Sequence, residues 1–139
     1  MRIKRVYKGI AGLVLCAWLG LALLGCTPAI ADEQVTAGAL AAQIEQGSPP
    51  LILDVRTAKE YAEGHVPGAV NIEYRQIPAQ VEALRAFEDK TVVVYCERGV
   101  RAGRAEAALV EAGFTSVVQL SGDMVAWRAA ELPIEVGGG

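Results

Sequence analysis

The chain has 139 residues, with 13 lysines and arginines, 16 aspartates and glutamates and one histidine, for a formal net charge of −3. This length suits a single domain. The acidic balance argues against nucleic acid or an anionic membrane surface as a partner. One histidine and three cysteines offer no recognised ligand spacing for a metal, and no cofactor is expected.

The first 25 residues have the composition of an export signal. An uncharged apolar run over 9–25 follows a basic start, which is the order found in signal peptides. As a membrane-spanning helix the run is slightly short and is weakened by glycines, so an uncleaved anchor is the less favoured alternative. We expect export to the bacterial periplasm. The basic residues are Arg2, Lys4, Arg5 and Lys8.

Two cleavage sites compete behind this signal. The sequence Leu-Leu-Gly before Cys26 resembles a bacterial lipobox, which predicts a signal peptide over 1–25, a lipidated Cys26 and membrane attachment only through that lipid. The alternative is an A-x-A site that ends at Ala31, which predicts a soluble periplasmic protein. We favour the lipobox. It leaves nine basic against 16 acidic residues, a net charge of −7.

The mature protein would keep one thiol. Cys16 lies within the signal, and Cys26 is either lipidated or removed, so Cys96 remains. Disulfides form readily in an exported compartment, but a single cysteine has no partner within the chain. A lone thiol there is either buried and inert or retained for its chemistry.

The elements can be predicted in chain order from periodicity and turn residues. Residues 26–33 are expected to be a tether, 34–136 the folded domain and 137–139 a flexible tail. Thr36 and Thr57 are candidate helix N-caps. The predicted helices span about 37–46, 57–63, 76–86, 101–112 and 123–130, and the predicted strands span 51–55, 69–72, 91–95 and 115–120. Strands that alternate with helices predict a single α/β domain with a central, mostly parallel sheet and helices on both faces.

Cys96 stands at the most informative point of this pattern. It follows the apolar, β-branched run 91–95 and opens a charged loop that leads into a helix. The N–H groups and dipole at a helix N-terminus, with Arg98 and Arg101 in the loop, favour the thiolate, which is the reactive form of cysteine. Gly99 is expected to supply a positive φ or a close backbone approach.

A second strand should end beside this loop. Asp54 lies near the end of the strand over 51–55 and Arg56 follows it directly, and sites in parallel sheets form beyond the carboxyl ends of the strands. We therefore expect both side chains near Cys96, as a supporting ion pair. His65, in a turn-rich stretch, is interpreted as a turn residue, and Trp127 as part of the core.

The chain resembles the single-domain rhodanese family over nearly all of 34–136. The resemblance is carried by the order and spacing of several motifs. These are Leu53-Asp54-Val55-Arg56, Glu60-Tyr61, Gly64-His65-Val66-Pro67-Gly68-Ala69-Val70-Asn71-Ile72, Val93-Val94-Tyr95-Cys96-Glu97-Arg98-Gly99-Val100-Arg101, Leu120-Ser121-Gly122-Asp123, Trp127 and Leu132-Pro133-Ile134-Glu135.

The resemblance implies a sulfurtransferase. Cys96 matches the residue that takes a sulfane sulfur from a small anionic donor such as thiosulfate and passes it to cyanide or a thiol. Arg101 matches the arginine that closes the loop, and Arg98 is placed to meet the donor. The backbone amides from Glu97 through Gly99 and Val100 to Arg101 would bind the persulfide and the donor oxygens. Glu97 and Ala102 depart from the family's usual residues, which bears on the choice of donor.

Two other functions use the same residues. A phosphatase or arsenate reductase also has a cysteine before an anion-binding loop, but it resembles Cys-x5-Arg, whereas Cys96 and Arg101 form Cys-x4-Arg. The shorter loop suits a sulfur atom on the cysteine better than a tetrahedral phosphate. A non-enzymatic module that binds a persulfide or a partner peptide is the third hypothesis. An intact Cys96 and two loop arginines weigh against it.

Overall fold

The computed structural model describes residues 33–138. The predicted signal peptide, Cys26, the site after Ala31 and all of the tether except Glu33 lie outside this range. The strands are β1 (Gln34–Val35), β2 (Leu51–Asp54), β3 (Val70–Asn71), β4 (Thr91–Tyr95) and β5 (Ser116–Leu120). The α-helices are α1 (Ala37–Glu45), α2 (Ala58–Glu63), α3 (Ile77–Gln80), α4 (Val100–Glu111) and α5 (Asp123–Ala129).

All five strands form one parallel sheet in the order β1-β5-β4-β2-β3. Strand β4 lies at the centre, and four of its five residues are buried. A parallel strand covered on both faces reads as a continuous run of β-branched residues, as this one does. Asp54 is the register partner of Tyr95, so β2 and β4 end at the same edge of the sheet.

Each face of the sheet carries its own apolar core. On one face Ile52 and Val93 pack with side chains of α1 and α5, including the fully buried Trp127. On the other face Leu53 and Val94 pack with α3, α4 and the segment between α3 and β4. Neighbouring strand residues point to opposite faces, and helices cover both. The predicted single α/β domain is therefore confirmed.

The helix N-caps agree with the sequence. The Thr36 side chain accepts a hydrogen bond from the Ala39 N–H at 3.2 Å. Thr57 and Glu60 form a reciprocal capping box at the start of α2, in which each side chain accepts from the other's backbone N–H. Capping satisfies N–H groups that have no partner within the helix. This explains how a helix as short as α2 has a defined beginning.

The segment over 76–86 departs from the regular helix that was predicted. It is a four-residue α-helix, α3, between two 3₁₀ segments, Tyr74–Gln76 and Val81–Phe87. Pro78 lies in the first turn of α3, and no side chain caps α3 or either 3₁₀ segment. The spacing of the apolar residues predicts a helical segment. It does not distinguish an α-helix, with hydrogen bonds to residue i−4, from a 3₁₀-helix, with hydrogen bonds to residue i−3.

Strand β1 was not predicted. Its two residues carry too little pattern to be recognised, and the strand exists because it pairs with β5.

Within residues 33–138, no helix combines the length and apolar character that crossing a bilayer requires.

The phenol of Tyr95 joins three segments at the carboxyl end of β4. Its O–H donates to Asp54 Oδ2 at 2.8 Å and accepts from the Val66 N–H at 3.0 Å. Tyr95 is completely buried. Burial, followed by the neighbouring Asp54 charge, raises the pKa of this phenol strongly, so it remains a neutral donor.

We expect Tyr95→Phe to lower the free energy of unfolding by about 1–3 kcal/mol, because the buried Val66 N–H loses its acceptor. Urea denaturation measures the change. Tyr74→Phe is the matched control, since the Tyr74 hydroxyl lies at the surface and accepts from Arg75; its cost should stay within about 0.5 kcal/mol. Equal costs would contradict the role given to Tyr95.

Candidate active site

Cys96 lies between β4 and α4, at the edge of the sheet where parallel strands end. The residue is only 2% exposed. The Gly99 N–H donates a hydrogen bond to Cys96 Sγ at 3.1 Å, and α4 begins at the next residue. The predicted placement of the thiol beneath a helix N-terminus is thus present. A backbone N–H aimed at sulfur stabilises a negative charge on it.

Gly99 allows the loop to close over the sulfur. Its φ of +96° lies in the region that favours glycine. A Cβ at this position would also stand 3.2 Å from Asp123 Oδ2, closer than most Cβ contacts. Both the backbone conformation and the space above it therefore require glycine, as the sequence predicted.

The loop between β5 and α5 supports the Cys96 loop from the other side. The Met124 N–H donates to the Cys96 carbonyl at 3.1 Å, and the Val125 N–H donates to the Glu97 carbonyl at 3.4 Å. The Asp123 carboxylate accepts from the Cys96 N–H at 2.7 Å. The first residues of α5 thus hold the backbone of the nucleophile.

Sequence reasoning did not single out Asp123 as a site residue. It is 4% exposed and has a φ of +53°. Burial raises the pKa of its carboxyl, the interaction with Cys96, including its backbone N–H, opposes that rise, and the charge of Glu97 adds to it. The sequence could have indicated this position. Asp123 comes shortly after β5, at the edge of the sheet where Asp54 ends β2 and Cys96 follows β4.

The Glu97 carboxylate is held by two arginines. Arg56 Nη1 lies 3.3 Å from Glu97 Oε2, and Arg128 Nη1 lies 2.6 Å from Glu97 Oε1. The side chain of Glu97 points towards β2 and α5. Its backbone amide is the part of the residue that is predicted to face the substrate. The negative charge beside the thiol is offset by cations on both sides.

Asp54 and Arg56 form a buried ion pair. Arg56 Nη2 lies 2.6 Å from Asp54 Oδ2, and Arg56 Nε lies 3.0 Å from Oδ1. Arg56 also donates to the Gly64 carbonyl at 2.8 Å. Burial works against the charge of Arg56, but its hydrogen bond and charge interaction with Asp54 outweigh that, and its pKa is raised. The pair meets the Cys96 loop through Glu97 rather than at the thiol.

Arg101 is clamped by a carboxylate from α2. Its Nη1 and Nη2 lie 2.7 Å from the two oxygens of Glu60, a bidentate geometry. The hydrogen bond to Arg101 is the largest effect that lowers the pKa of Glu60 to about 2. The pKa of Arg101 is raised, first by Glu60 and further by the charge and side chain of Cys96. Arg101 thus connects α2 to the start of α4.

Arg98 and Val100 occupy the exposed rim of the loop. The Val100 residue is 71% exposed. In the part of the chain that the structure describes, no carboxylate lies within ion-pair distance of Arg98. Its guanidinium is therefore available to an anion from solution, in contrast to the guanidinium of Arg101.

The remaining candidates have structural roles. His65 Nδ1 hydrogen-bonds the Tyr61 carbonyl at 2.8 Å, and the two rings stack with centroids 3.6 Å apart. Trp127 is buried in the core, as predicted, and its Nε1–H donates to the Pro133 carbonyl. Residues 33–138 contain no group of three or more histidine, cysteine, aspartate or glutamate side chains placed to hold a metal ion.

Comparison with known proteins agrees with this geometry. The Rhodanese-like domain profile matches residues 36–130. A sulfurtransferase from Allochromatium vinosum is 31% identical over 102 residues, which cover 73% of this chain and 94% of that protein. The crystal structure of the Alr3790 protein from Anabaena sp. superimposes with a TM-score of 0.67 at 29% identity, covering 73% of this chain and 81% of the other.

A second solved structure gives the same result. The BH2092 protein from Bacillus halodurans superimposes with a TM-score of 0.67 at 27% identity, covering 76% of this chain and 77% of the other. The predicted resemblance is confirmed by a match over most of the chain in both sequence and fold. The chain belongs to the rhodanese-like domain family.

Proposed function

We propose that the protein is a sulfurtransferase that carries a sulfane sulfur as a persulfide on Cys96. The donor would be a small anion such as thiosulfate, and the acceptor cyanide or a thiol. The observation that carries the proposal is the hydrogen bond of 3.1 Å from the Gly99 N–H to Cys96 Sγ at the start of α4. The family membership and the relative named as a sulfurtransferase support it.

The chemistry requires a nucleophilic sulfur that can hold a second sulfur. The Cys96 thiolate attacks the outer sulfur of thiosulfate, a new S–S bond forms on Cys96, and sulfite leaves with the electron pair of the bond that breaks. An acceptor thiolate or cyanide then attacks the outer sulfur and releases the Cys96 thiolate. Backbone N–H groups of the loop stabilise the anionic forms at each stage.

Arg98 and Arg101 have different roles in this proposal. Arg98 has no carboxylate partner among residues 33–138, and its guanidinium at the rim attracts the anionic donor. Arg101 is held by Glu60 at 2.7 Å on both nitrogens and keeps the loop closed around the sulfur. Binding and loop geometry are therefore separable by mutation.

The oxyanion-enzyme alternative is less well supported. A phosphatase needs an arginine free to bind the substrate oxygens, and Arg101 already binds both oxygens of Glu60. The loop from Cys96 to Arg101 is also one residue shorter than Cys-x5-Arg. A non-enzymatic module that binds a persulfide or a peptide remains the third reading, and the loss-of-thiol experiment below separates it.

We also propose that the domain is exported and anchored to the membrane through lipid on Cys26. The basic start, the apolar run over 9–25 and the lipobox-like sequence support this. Several acyl chains on one residue would anchor it stably, since a single chain binds only marginally. Cleavage after Ala31, which would release a soluble periplasmic protein, is the alternative.

Cys96→Ser should abolish sulfur transfer and leave the fold intact, because hydroxyl oxygen cannot form the persulfide. Incubation of the wild type with thiosulfate should add one sulfur atom by intact mass spectrometry, and cyanide should remove it. Unchanged thermal unfolding is the control. Sulfur loading of the variant would refute the assignment, and aryl phosphate turnover that depends on Cys96 would favour the oxyanion enzyme.

Arg98→Ala should raise KM for thiosulfate about two- to fivefold at constant kcat, as loss of an exposed charge contact does. Arg101→Ala should lower kcat about tenfold or more, because the loop loses its position. Lys90→Ala removes the same charge at the opposite end of β4 and should change neither constant. Steady-state kinetics with thiosulfate measure KM and kcat for each variant. Equal effects of Arg98→Ala and Arg101→Ala on both constants would contradict the separate roles given to the two arginines.

The Arg101–Glu60 pair also predicts a pH dependence. The folded-state pKa of Glu60, about 2, lies below the value of about 4.3 for an unfolded glutamate. Its contribution to stability is therefore present above about pH 4.3 and is lost as the pH falls through about 2. The difference in stability between the wild type and Arg101→Ala should shrink only in that range.

Cys26→Ala should move the protein from the membrane fraction to the soluble fraction and remove incorporated fatty acid. Fractionation and N-terminal sequencing measure both. Cys16→Ala, which changes a cysteine within the predicted signal, is the matched control and should leave both unchanged. If wild type and Cys26→Ala both begin at Asp32 and fractionate alike, the lipoprotein proposal fails and sulfur transfer is unaffected.

A further inference from the structure

Arginines without an acidic partner gather at the edge of the sheet where Cys96 lies. The chain has more acidic than basic residues, 16 against 13, and most basic side chains of residues 33–138 pair with a carboxylate. In that range the basic side chains with no carboxylate within ion-pair distance are Lys90, Arg75, Arg98 and Arg104. Lys90 precedes β4 at the opposite edge, whereas the three arginines lie on the Cys96 side.

Tyr74 holds two of these arginines side by side. It follows β3, its N–H donates to the Val55 carbonyl at 3.1 Å, and it packs against the same core as Cys96. The Tyr74 hydroxyl accepts from Arg75 Nε at 2.9 Å and lies 3.5 Å from Arg104 Nη1. The centroid of its ring lies 5.3 Å from the guanidinium carbon of Arg75 and 5.8 Å from that of Arg104. The hydrogen bond from Arg75 is the largest effect that lowers the pKa of Tyr74.

These side chains are continuous with the mouth of the site. Arg104 lies four residues after Val100 on α4, and residues i and i+4 are neighbours on one face of a helix. Val100 is 71% exposed, and it directly follows Gly99, whose N–H donates to Cys96 Sγ. We call this surface the basic rim and define it by five residues, Arg98, Val100, Arg104, Tyr74 and Arg75.

The basic rim keeps positive charges together without neutralising them. Arg75 and Arg104 share only a hydroxyl group, and like charges held close together repel each other. The other arginines of residues 33–138 each have a carboxylate within ion-pair distance. Arginine and tyrosine are enriched at protein interfaces. The basic rim therefore has the charge and the composition of a surface that an anionic partner covers.

The extent of the basic rim favours an extended partner over a small anion. A donor at the sulfur would meet the loop amides and Arg98, whereas Arg104 lies one helical turn farther and Arg75 lies beyond Tyr74. A row of cations that leads away from the nucleophile fits a peptide with carboxylates along it. The acidic balance of the chain disfavours a nucleic acid, because its dense phosphate charge would be repelled by the rest of the surface.

We propose that the basic rim docks an acidic segment of a partner protein that carries the acceptor thiol. This deepens the proposed function and rests on it for the sulfur chemistry, whereas the docking itself does not depend on the donor. Carboxylates of the segment pair with Arg104 and Arg75, and its cysteine meets Cys96. The acceptor thiolate attacks the outer sulfur of the Cys96 persulfide anion, and the electron pair of the broken S–S bond returns to Cys96 Sγ. The products are a Cys96 thiolate and an acceptor persulfide anion, so the total charge is unchanged.

The test compares two short peptides as acceptors of sulfur from Cys96 that has been loaded with thiosulfate. In the acidic peptide, glutamates flank a single cysteine on both sides, and in the neutral peptide glutamines replace the glutamates. At low ionic strength the wild type should show a kcat/KM about tenfold higher for the acidic peptide. Salt at about 0.5 M should remove most of this preference. Mass spectrometry of the peptide measures the added sulfur.

Variants of the basic rim should lose the preference for the acidic peptide. Arg75→Gln and Arg104→Gln should each lower it about two- to threefold, and the double variant about fivefold, as expected for exposed ion pairs. Turnover of thiosulfate with cyanide should stay within about twofold of the wild type in all three, because distant exposed charges are screened. Lys90→Gln removes one charge at the opposite edge and is the matched control, which should keep the wild-type preference. Thermal unfolding of each variant establishes that it is folded.

A binding measurement separates docking from sulfur transfer. It uses Cys96→Ser protein and a fluorescently labelled acidic peptide in which serine replaces cysteine, so that no sulfur moves. Fluorescence anisotropy should show weaker binding when Arg75→Gln and Arg104→Gln are added. If the wild type takes no sulfur from thiosulfate but this weakening is observed, the docking surface stands and the proposed donor is wrong.

Several results would overturn the docking proposal. These are equal kcat/KM values for the two peptides in the wild type, an unchanged preference in the double variant, or an equal loss in Lys90→Gln. A parallel loss of cyanide turnover in the arginine variants would assign Arg75 and Arg104 to donor binding instead. Tighter, arginine-dependent binding of a single-stranded oligonucleotide than of the acidic peptide would assign the basic rim to nucleic acid.

Discussion

The buried ion pair between Asp54 and Arg56 is the constraint on which the site depends. Both residues are completely buried, and a charge without a partner at such depth would cost several kcal/mol. Arg56 therefore has to satisfy Asp54, the Gly64 carbonyl and Glu97 at once. Those contacts fix the carboxyl end of β2 and the start of the Cys96 loop relative to each other, and Tyr95 completes the network from β4.

Around Cys96 the protein combines an anion-stabilising backbone with acidic side chains, and it treats each carboxylate differently. Glu97 is paired with Arg56 and Arg128, so its charge is offset before it reaches the sulfur. Asp123 is buried against the nucleophile, and burial raises its pKa. The Glu97 side chain thus joins two arginines from different parts of the sheet edge, whereas the Asp123 carboxylate holds the backbone of the nucleophile.

The two arginines of the loop also differ in whether a carboxylate of the protein holds them. Arg101 is part of the framework, because Glu60 on α2 binds it through two hydrogen bonds. Arg98 projects from the rim without a carboxylate partner among residues 33–138. A loop held by internal ion pairs keeps its amides aimed at the sulfur with or without a donor, and such preorganisation favours a transition state that develops charge.

The sequence by itself determined the alternation of strands and helices, the N-caps at Thr36 and Thr57, and the position of Cys96 between a buried strand and a helix. These are local properties, set by periodicity and capping within a few residues. It did not determine strand β1 or the 3₁₀ character of Val81–Phe87, because a strand of two residues exists only through its partner. Only the tertiary structure brought Glu60 to Arg101 and Asp123 to Cys96. Those contacts join residues 41 and 27 positions apart, and the parallel sheet creates them by ending its strands at one edge.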